Sequence, residues 1–173
     1  MRNAHEEVLE GSAGAELARV AVVRTGKLAF VKVSGRGSTL FAVPVPSARG
    51  AAILLFAAKV RSRKSRWWTP TLALAGSPLR SLIERLEALA EGGGRAFTFR
   101  SRKSGLFVSV RRRGSGYALL LGKGEKVYAA IEAKGGDLAK LASALREVLE
   151  RGPAELPLPL TWRDKERVFG PHA

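Results

Sequence analysis

From Leu17 onward the apolar positions come in short runs, broken by glycine, serine and basic clusters. Runs of this length between turn-forming residues predict β-strands. Four are expected near residues 19–33 (kinked at Gly26), 39–45, 51–59 and 67–74. The turns fall at Gly35-Arg36-Gly37, at Arg49-Gly50 and in the basic stretch 61–66. Pro44 and Pro46 each lack an N–H, which predicts that the second strand lies at a sheet edge.

The period then changes. Leu79, Leu82, Ile83, Leu86, Leu89 and Ala90 share one face of a helix. Ser77 is placed to cap it, Pro78 suits its first helical position, and Gly92-Gly93-Gly94 ends it. The same order of elements follows again, with strands expected at 96–102, 106–112, 117–121 and 127–133. A second helix begins near Asp137, a good cap, with its apolar face at Leu138, Leu141, Ala142, Leu145, Val148 and Leu149. Each of these stands 59 residues after its counterpart in the first helix, as Gly152 does after Gly93 and Ile131 after Leu72. One register shared by two helices, each after about four strands, predicts a duplicated ββββα unit.

The chain therefore divides into three parts. Residues 1–16 are polar and small and read as a flexible N-terminal segment. Residues 17–152 form the body, with one repeat over 17–93 and the other over 94–152. Residues 153–173 are proline-rich, and two readings stay open: Trp162 and Phe169 dock on the body, or the segment runs as a loose tail.

Charge sharpens this picture. Thirty Lys and Arg face fifteen Asp and Glu, a net charge of +15 that points to a polyanionic partner. Disulfides and thiolate metal sites are excluded by the lack of cysteine. No apolar run is long enough to cross a bilayer, and Glu6, Glu7 and Glu10 argue against a signal or transit peptide. A cytoplasmic, nucleoid-associated protein of a bacterium or archaeon is expected. Glutamine is absent and Asn3 is the sole asparagine, which fits a thermophile.

Catalytic chemistry is poorly supplied. The histidines, His5 and His172, lie at the two ends, and the aspartates are Asp137 and Asp164. No phosphate-binding loop, nucleophile elbow or zinc-protease motif is present. The expectation is a non-enzyme without metal or cofactor. Binding chemistry is richer. The string Arg-Ser-Arg-Lys-Ser occurs at 61–65 and again at 100–104, each at an expected hairpin tip. Along the strand after the second copy, Phe107, Ser109, Arg111 and Arg113 share a face. Rings that stack bases beside guanidinium groups that neutralise phosphates are what a nucleic-acid single strand needs. Phe107 reads equally well as core. Trp67 and Trp68 point to opposite faces of a strand, so at most one is core unless the sheet is covered on both sides.

These residues also resemble a family. Thr25-Gly26-Lys27-Leu28-Ala29-Phe30 resembles the Lys-Gly-Lys-Ala-Ala-Leu segment of the Whirly single-stranded DNA-binding proteins. Residues 50–56 are similar to their next apolar strand, and 68–74 with 77–83 to their tryptophan-bearing strand and helix start. Ser104-Gly105-Leu106-Phe107-Val108-Ser109-Val110 is similar to the strand opening their second half. The likeness covers residues 17–150. It implies an α+β fold of two ββββα repeats, with antiparallel sheets packed against helices, as in the related Pur-alpha and coactivator folds. It also implies a homo-oligomer that binds single-stranded DNA with little sequence specificity, in transcription, genome maintenance or DNA repair. This chain departs from the plant members in lacking a transit peptide, in its greater charge, in its Arg36-Gly37 and Arg-Ser-Arg-Lys-Ser insertions, and in having Thr25 for the first lysine. With Lys27 and Lys32 added, the candidate contacts are Arg61, Arg63, Lys64, Arg66, Trp67, Arg100, Arg102, Lys103, Phe107, Arg111 and Arg113. The competing readings are an RNA-binding or double-stranded chromatin protein, and an oligomeric scaffold.

Overall fold

The computed structural model describes residues 4–9 and 17–173. The rest of the expected flexible N-terminal segment, Glu10 included, lies outside the described residues. The fold is α+β, with two antiparallel sheets. The first sheet is a meander of β1 (Ala4–Val8), β2 (Arg19–Thr25), β3 (Leu28–Ser34), β4 (Ser38–Ser47), β5 (Gly50–Ser62) and β6 (Ser65–Trp68), and β7 (Leu72–Ala75) also pairs with β5. Helix α1 (Ser77–Ala90) follows. The second sheet is the meander β8 (Phe97–Arg100), β9 (Leu106–Arg113), β10 (Gly116–Lys123) and β11 (Lys126–Ala133), which leads into α2 (Gly135–Arg151). A third helix, α3 (Trp162–Phe169), lies in the C-terminal segment.

Strands β4 and β5 are apolar at nearly every position because the first sheet is covered on both faces. On one face Leu40, Ala42, Ile53 and Leu55 meet the second sheet and the apolar stripes of α1 and α2. The other face carries Phe30, Phe41, Phe56 and Trp68, and the C-terminal segment closes it. Phe169 is fully buried there, 5.0–5.5 Å from the rings of Phe30, Phe41 and Phe56. The docked reading of Phe169 is therefore the right one, whereas Trp162 is 54% exposed.

Several expectations need correction. The stretch 19–33 is two strands, because Gly26 at φ 60° makes a tight turn between them. The stretch 67–74 is likewise broken at Thr69-Pro70-Thr71, where the Thr69 hydroxyl accepts the Ala57 N–H at 2.8 Å. Strand β4 is not an edge. It lies between β3 and β5, but β3 pairs only as far as Ala42, so both prolines sit beyond its reach. The side of Pro44 that lacks a donor faces the C-terminal segment, and the Ala154 N–H donates to the Pro44 carbonyl there at 2.9 Å. Residues 4–8 of the segment expected to be flexible form an edge strand paired with β2.

The helix starts also differ. Ser77 is the first helical residue, after Gly76 at φ 62°, and makes no capping bond. Asp137 stands two residues inside α2, because the helix already starts at Gly135. Its carboxylate reaches back to accept the N–H of Lys134 at 2.7 Å, and it also accepts those of Leu17 and Ala18 at 3.3 Å. Both helices bury most of the expected residues, Leu79, Leu82, Ile83, Leu86 and Leu89, and, 59 positions later, Leu138, Leu141, Ala142, Leu145 and Val148, while Ala90 and Leu149 are half-buried. They pack on each other, and Arg146 of α2 donates to Glu87 of α1 at 2.6 Å. The strand counts differ, with seven described strands ahead of α1 and four ahead of α2.

Candidate nucleic-acid interface

The distribution of acids organises the surface. No Asp or Glu occurs between Glu16 and Glu84, nor between Glu91 and Glu125. Strands β2 to β10 are therefore acid-free, and any carboxylate near their cations comes from another element. Where one arrives, it neutralises. Glu6 of β1 takes Lys32 at 2.8 Å, Glu147 of α2 takes Arg24 at 3.1 Å, and Glu166 of α3 takes Arg66 at 2.6 Å. Arg113 reaches Glu132 of β11 at 3.7 Å.

The cations left over collect at hairpin tips. Arg61, Arg63 and Lys64 are exposed at the tip joining β5 to β6, and Arg102 and Lys103 in the loop joining β8 to β9. None of these five has an ion pair among the described residues. In the first sheet the β3–β4 and β5–β6 turns lie at one end, tied by the Val60 N–H donating to the Gly37 carbonyl at 3.3 Å. In the second sheet the β8–β9 and β10–β11 turns lie at one end, tied by the Gly124 N–H donating to the Gly105 carbonyl at 3.1 Å. Each sheet thus has one basic end, to which Arg36 and Lys59, or Lys123 and Lys126 less the charge of Glu125 between them, contribute.

An aromatic pair stands where the sheets meet. Trp67 of β6 packs edge-on against Tyr128 of β11, with ring centroids 5.5 Å apart, and both are half-buried. Trp67 is in register with exposed Lys59 on β5. Trp68 points to the opposite face, is buried, and donates its indole N–H to Glu166 at 2.6 Å. Both tryptophans find cover because the sheet is enclosed on both sides.

Other candidates are not brought into this group. Phe107 is buried, so its core reading holds. Its ring lies over Gly122, where a Cβ would come within 2.6 Å of it, and the Arg100 guanidinium sits 4.8 Å from its centroid. Arg100 in turn donates to the carbonyls of Gly124 at 2.9 Å and Gly105 at 3.3 Å, which bridges two tips. Arg111 is exposed on the outer face of the second sheet, bonded to the Ser109 hydroxyl at 3.4 Å. Arg113 lies seven residues along β9 from Leu106, about 24 Å from the basic end at ~3.4 Å per residue. Lys27 is exposed on the β2–β3 turn, at the other end of the first sheet, beside a cavity of about 520 Å³ under the C-terminal segment. Lys32 faces that same covered side.

Sequence reasoning missed Tyr128. That residue sits at the register shift between β10 and β11, where a bulge breaks the alternation that would have placed it, and it packs against the same core as Ala129, Ile131 and Ala133. Sequence reasoning also missed the anchor of the β5–β6 hairpin. Next to Glu166, the Lys165 ammonium donates to the Thr69 carbonyl at 2.7 Å and lies 5.1 Å from the Phe56 ring centroid; burial lowers its pKa to about 8. His172 packs edge-on to Phe30, and its pKa is lowered, first by burial and then by the charge of Lys32. Among the described residues no cluster of three His, Asp or Glu side chains suits a metal ion, and no helix is long and apolar enough to cross a membrane.

Clustered cations that form no ion pair among the described residues, with a partly open aromatic pair, can neutralise phosphates while offering a ring to a base. Comparison with protein-family models, curated proteins and solved structures finds no match to this chain.

Proposed function

We propose that the chain is a single-stranded DNA-binding protein with little sequence specificity, Whirly-like in its duplicated architecture, acting in genome maintenance or transcription, and working as a homo-oligomer. One observation carries this reading: among the described residues Arg61, Arg63, Lys64, Arg102 and Lys103 have no ion pair, and they stand at tips of the two hairpin ends that also carry Trp67 and Tyr128. Sequence tolerance follows from the chemistry, because guanidinium and ammonium groups read phosphate and every base has a stacking face.

The test is competition of labelled single-stranded DNA against duplex DNA and RNA of equal length, at two or more salt concentrations. Single-stranded DNA should bind most tightly. With about five phosphates neutralised, log K should fall against log salt with a slope near −3.5. A flat salt response would overturn the nucleic-acid reading. RNA or duplex competing as well as single-stranded DNA would replace it with the RNA or chromatin alternative.

A further inference from the structure

A second feature lies away from the Trp67–Tyr128 pair. Between β7 of the first sheet and β8 of the second is a cleft of about 340 Å³, lined by Leu74, Pro78, Phe99, Ser101 and two arginines, Arg49 and Arg100. Its size falls in the range of small-molecule sites, about 300–1,000 Å³. Both walls are sheet edges: among the described strands β7 pairs with β5 alone, and β8 with β9 alone. Edge strands leave backbone donors and acceptors free, and these are partners for the polar edge of a base. Phe99 is half-buried and held edge-on against Phe97 at 5.5 Å, so its ring is fixed. Arg49 projects from the β4–β5 turn across Gly76, and Arg100 stands at the root of the β8–β9 loop. The Arg49 guanidinium has no ion pair among the described residues, whereas that of Arg100 is turned to the other face of β8, onto the Phe107 ring and the carbonyls of Gly124 and Gly105.

We propose that this cleft takes one splayed-out nucleotide of the bound single strand. The base lies against Phe99 and the β7 edge, and a flanking phosphate lies on Arg49. Unstacked bases held on fixed rings, with guanidinium groups on the backbone, are the usual way single strands are gripped. The strand leaves the cleft along Arg102 and Lys103, the next basic residues after Arg100. This inference rests on the nucleic-acid reading and adds to it a defined nucleotide pocket.

The experiment uses the full chain and an oligothymidylate carrying 5-iodouracil, photocrosslinked and mapped by peptide mass spectrometry. Affinity is measured in parallel for the unmodified strand, and free 5-iododeoxyuridine monophosphate is titrated and photocrosslinked alongside. The expected crosslink falls on Phe99. Arg49→Ala, on an exposed turn, should weaken strand binding about tenfold, the scale of one charged hydrogen bond, and should reduce the Phe99 crosslink. Phe99→Leu, which keeps apolar bulk, should abolish that crosslink while the strand stays bound. The cleft assignment is overturned if the strand binds tightly but crosslinks only at Trp67 or Tyr128, or if Arg49→Ala binds like the parent. It is also overturned if the free nucleotide crosslinks at Phe99 and the strand does not, since the pocket would then serve a small molecule. Failure of the parent protein to bind any strand would instead remove the nucleic-acid reading, and the cleft assignment with it.

Discussion

Arg146 meets Glu87 at 2.6 Å across the packed helices, and the two residues stand 59 positions apart, the interval that carries one helix's buried face onto the other's. When a twofold axis relates two elements, only a position near the axis touches its own counterpart. In the duplication we propose, such a pair would mark an axis between α1 and α2. The matched ties between hairpin turns, Val60 to Gly37 and Gly124 to Gly105, fit the same relation.

Exchanging the two charges should test the pair. Each partner favours the other's charged form, chiefly through the shared hydrogen bond, so Glu87 is held below the usual carboxylate range and Arg146 above its ordinary value. Both side chains are about half exposed, which limits the coupling to about 0.2–1 kcal/mol. Glu87→Arg and Arg146→Glu should each lower stability slightly, and the double variant should recover it in a denaturant-melt cycle.

The apolar stripe beneath carries far more. Leu86 and Leu145 are each about 1% exposed and occupy equivalent positions. Replacing either by alanine should cost about 2–5 kcal/mol, read as a shift in urea midpoint. Similar losses at both sites would accord with equivalent surroundings; a negligible loss at one would break the equivalence.

Those helix faces were legible because a 3.6-residue period is local information. The two Arg-Ser-Arg-Lys-Ser tips were legible for the same reason. Strand order was not. Pro44 and Pro46 argued for an edge, but whether a missing donor matters depends on how far β3 extends and on what lies beside it. Strand β1 was hidden because exposed His5 and Glu7 alternate with half-buried Glu6 and Val8, a weak pattern that only pairing with β2 completes. Within the candidate interface, composition showed the cations but not which were already neutralised. Arg66 and Lys32 look like Arg63 and Lys64 until Glu166 and Glu6 arrive from distant parts of the chain.

That distinction yields a binding prediction. Arg63→Ala with Arg102→Ala should weaken all single strands about equally and make the salt slope shallower by about 1.4 units, at ~0.7 per contact. Trp67→Ala should cost about 1–3 kcal/mol of binding with little change in slope. Arg66→Ala should change the slope least, because its charge is already spent on Glu166. Fluorescence titrations at several salt concentrations separate the three.

The anchor of α3 should respond to alkali. Burial lowers the Lys165 pKa from 10.5 to about 8. Between those values the unfolded chain holds the proton and the folded chain does not, so this group makes stability rise with pH across the window. Below about pH 8 both states are protonated and its contribution is constant. Thermal melts of the parent from pH 8 to 10.5 should therefore rise relative to those of Lys165→Met. Parallel curves would place Lys165 in a more hydrated setting.

Gly122 carries a wider consequence. A β-carbon there would strike the Lys126 carbonyl as well as the Phe107 ring, and Arg100 rests on the far side of that ring. Positions 100, 107 and 122 are therefore one unit of variation. In any descendant of this chain a side chain at 122 requires both a shift of the β11 backbone at Lys126 and a smaller residue at 107, and the arginine at 100 then loses its seat. Such a change would release the link between the β8–β9 and β10–β11 turns, so drift at one buried glycine would reshape the charged end of the sheet without altering a single surface charge.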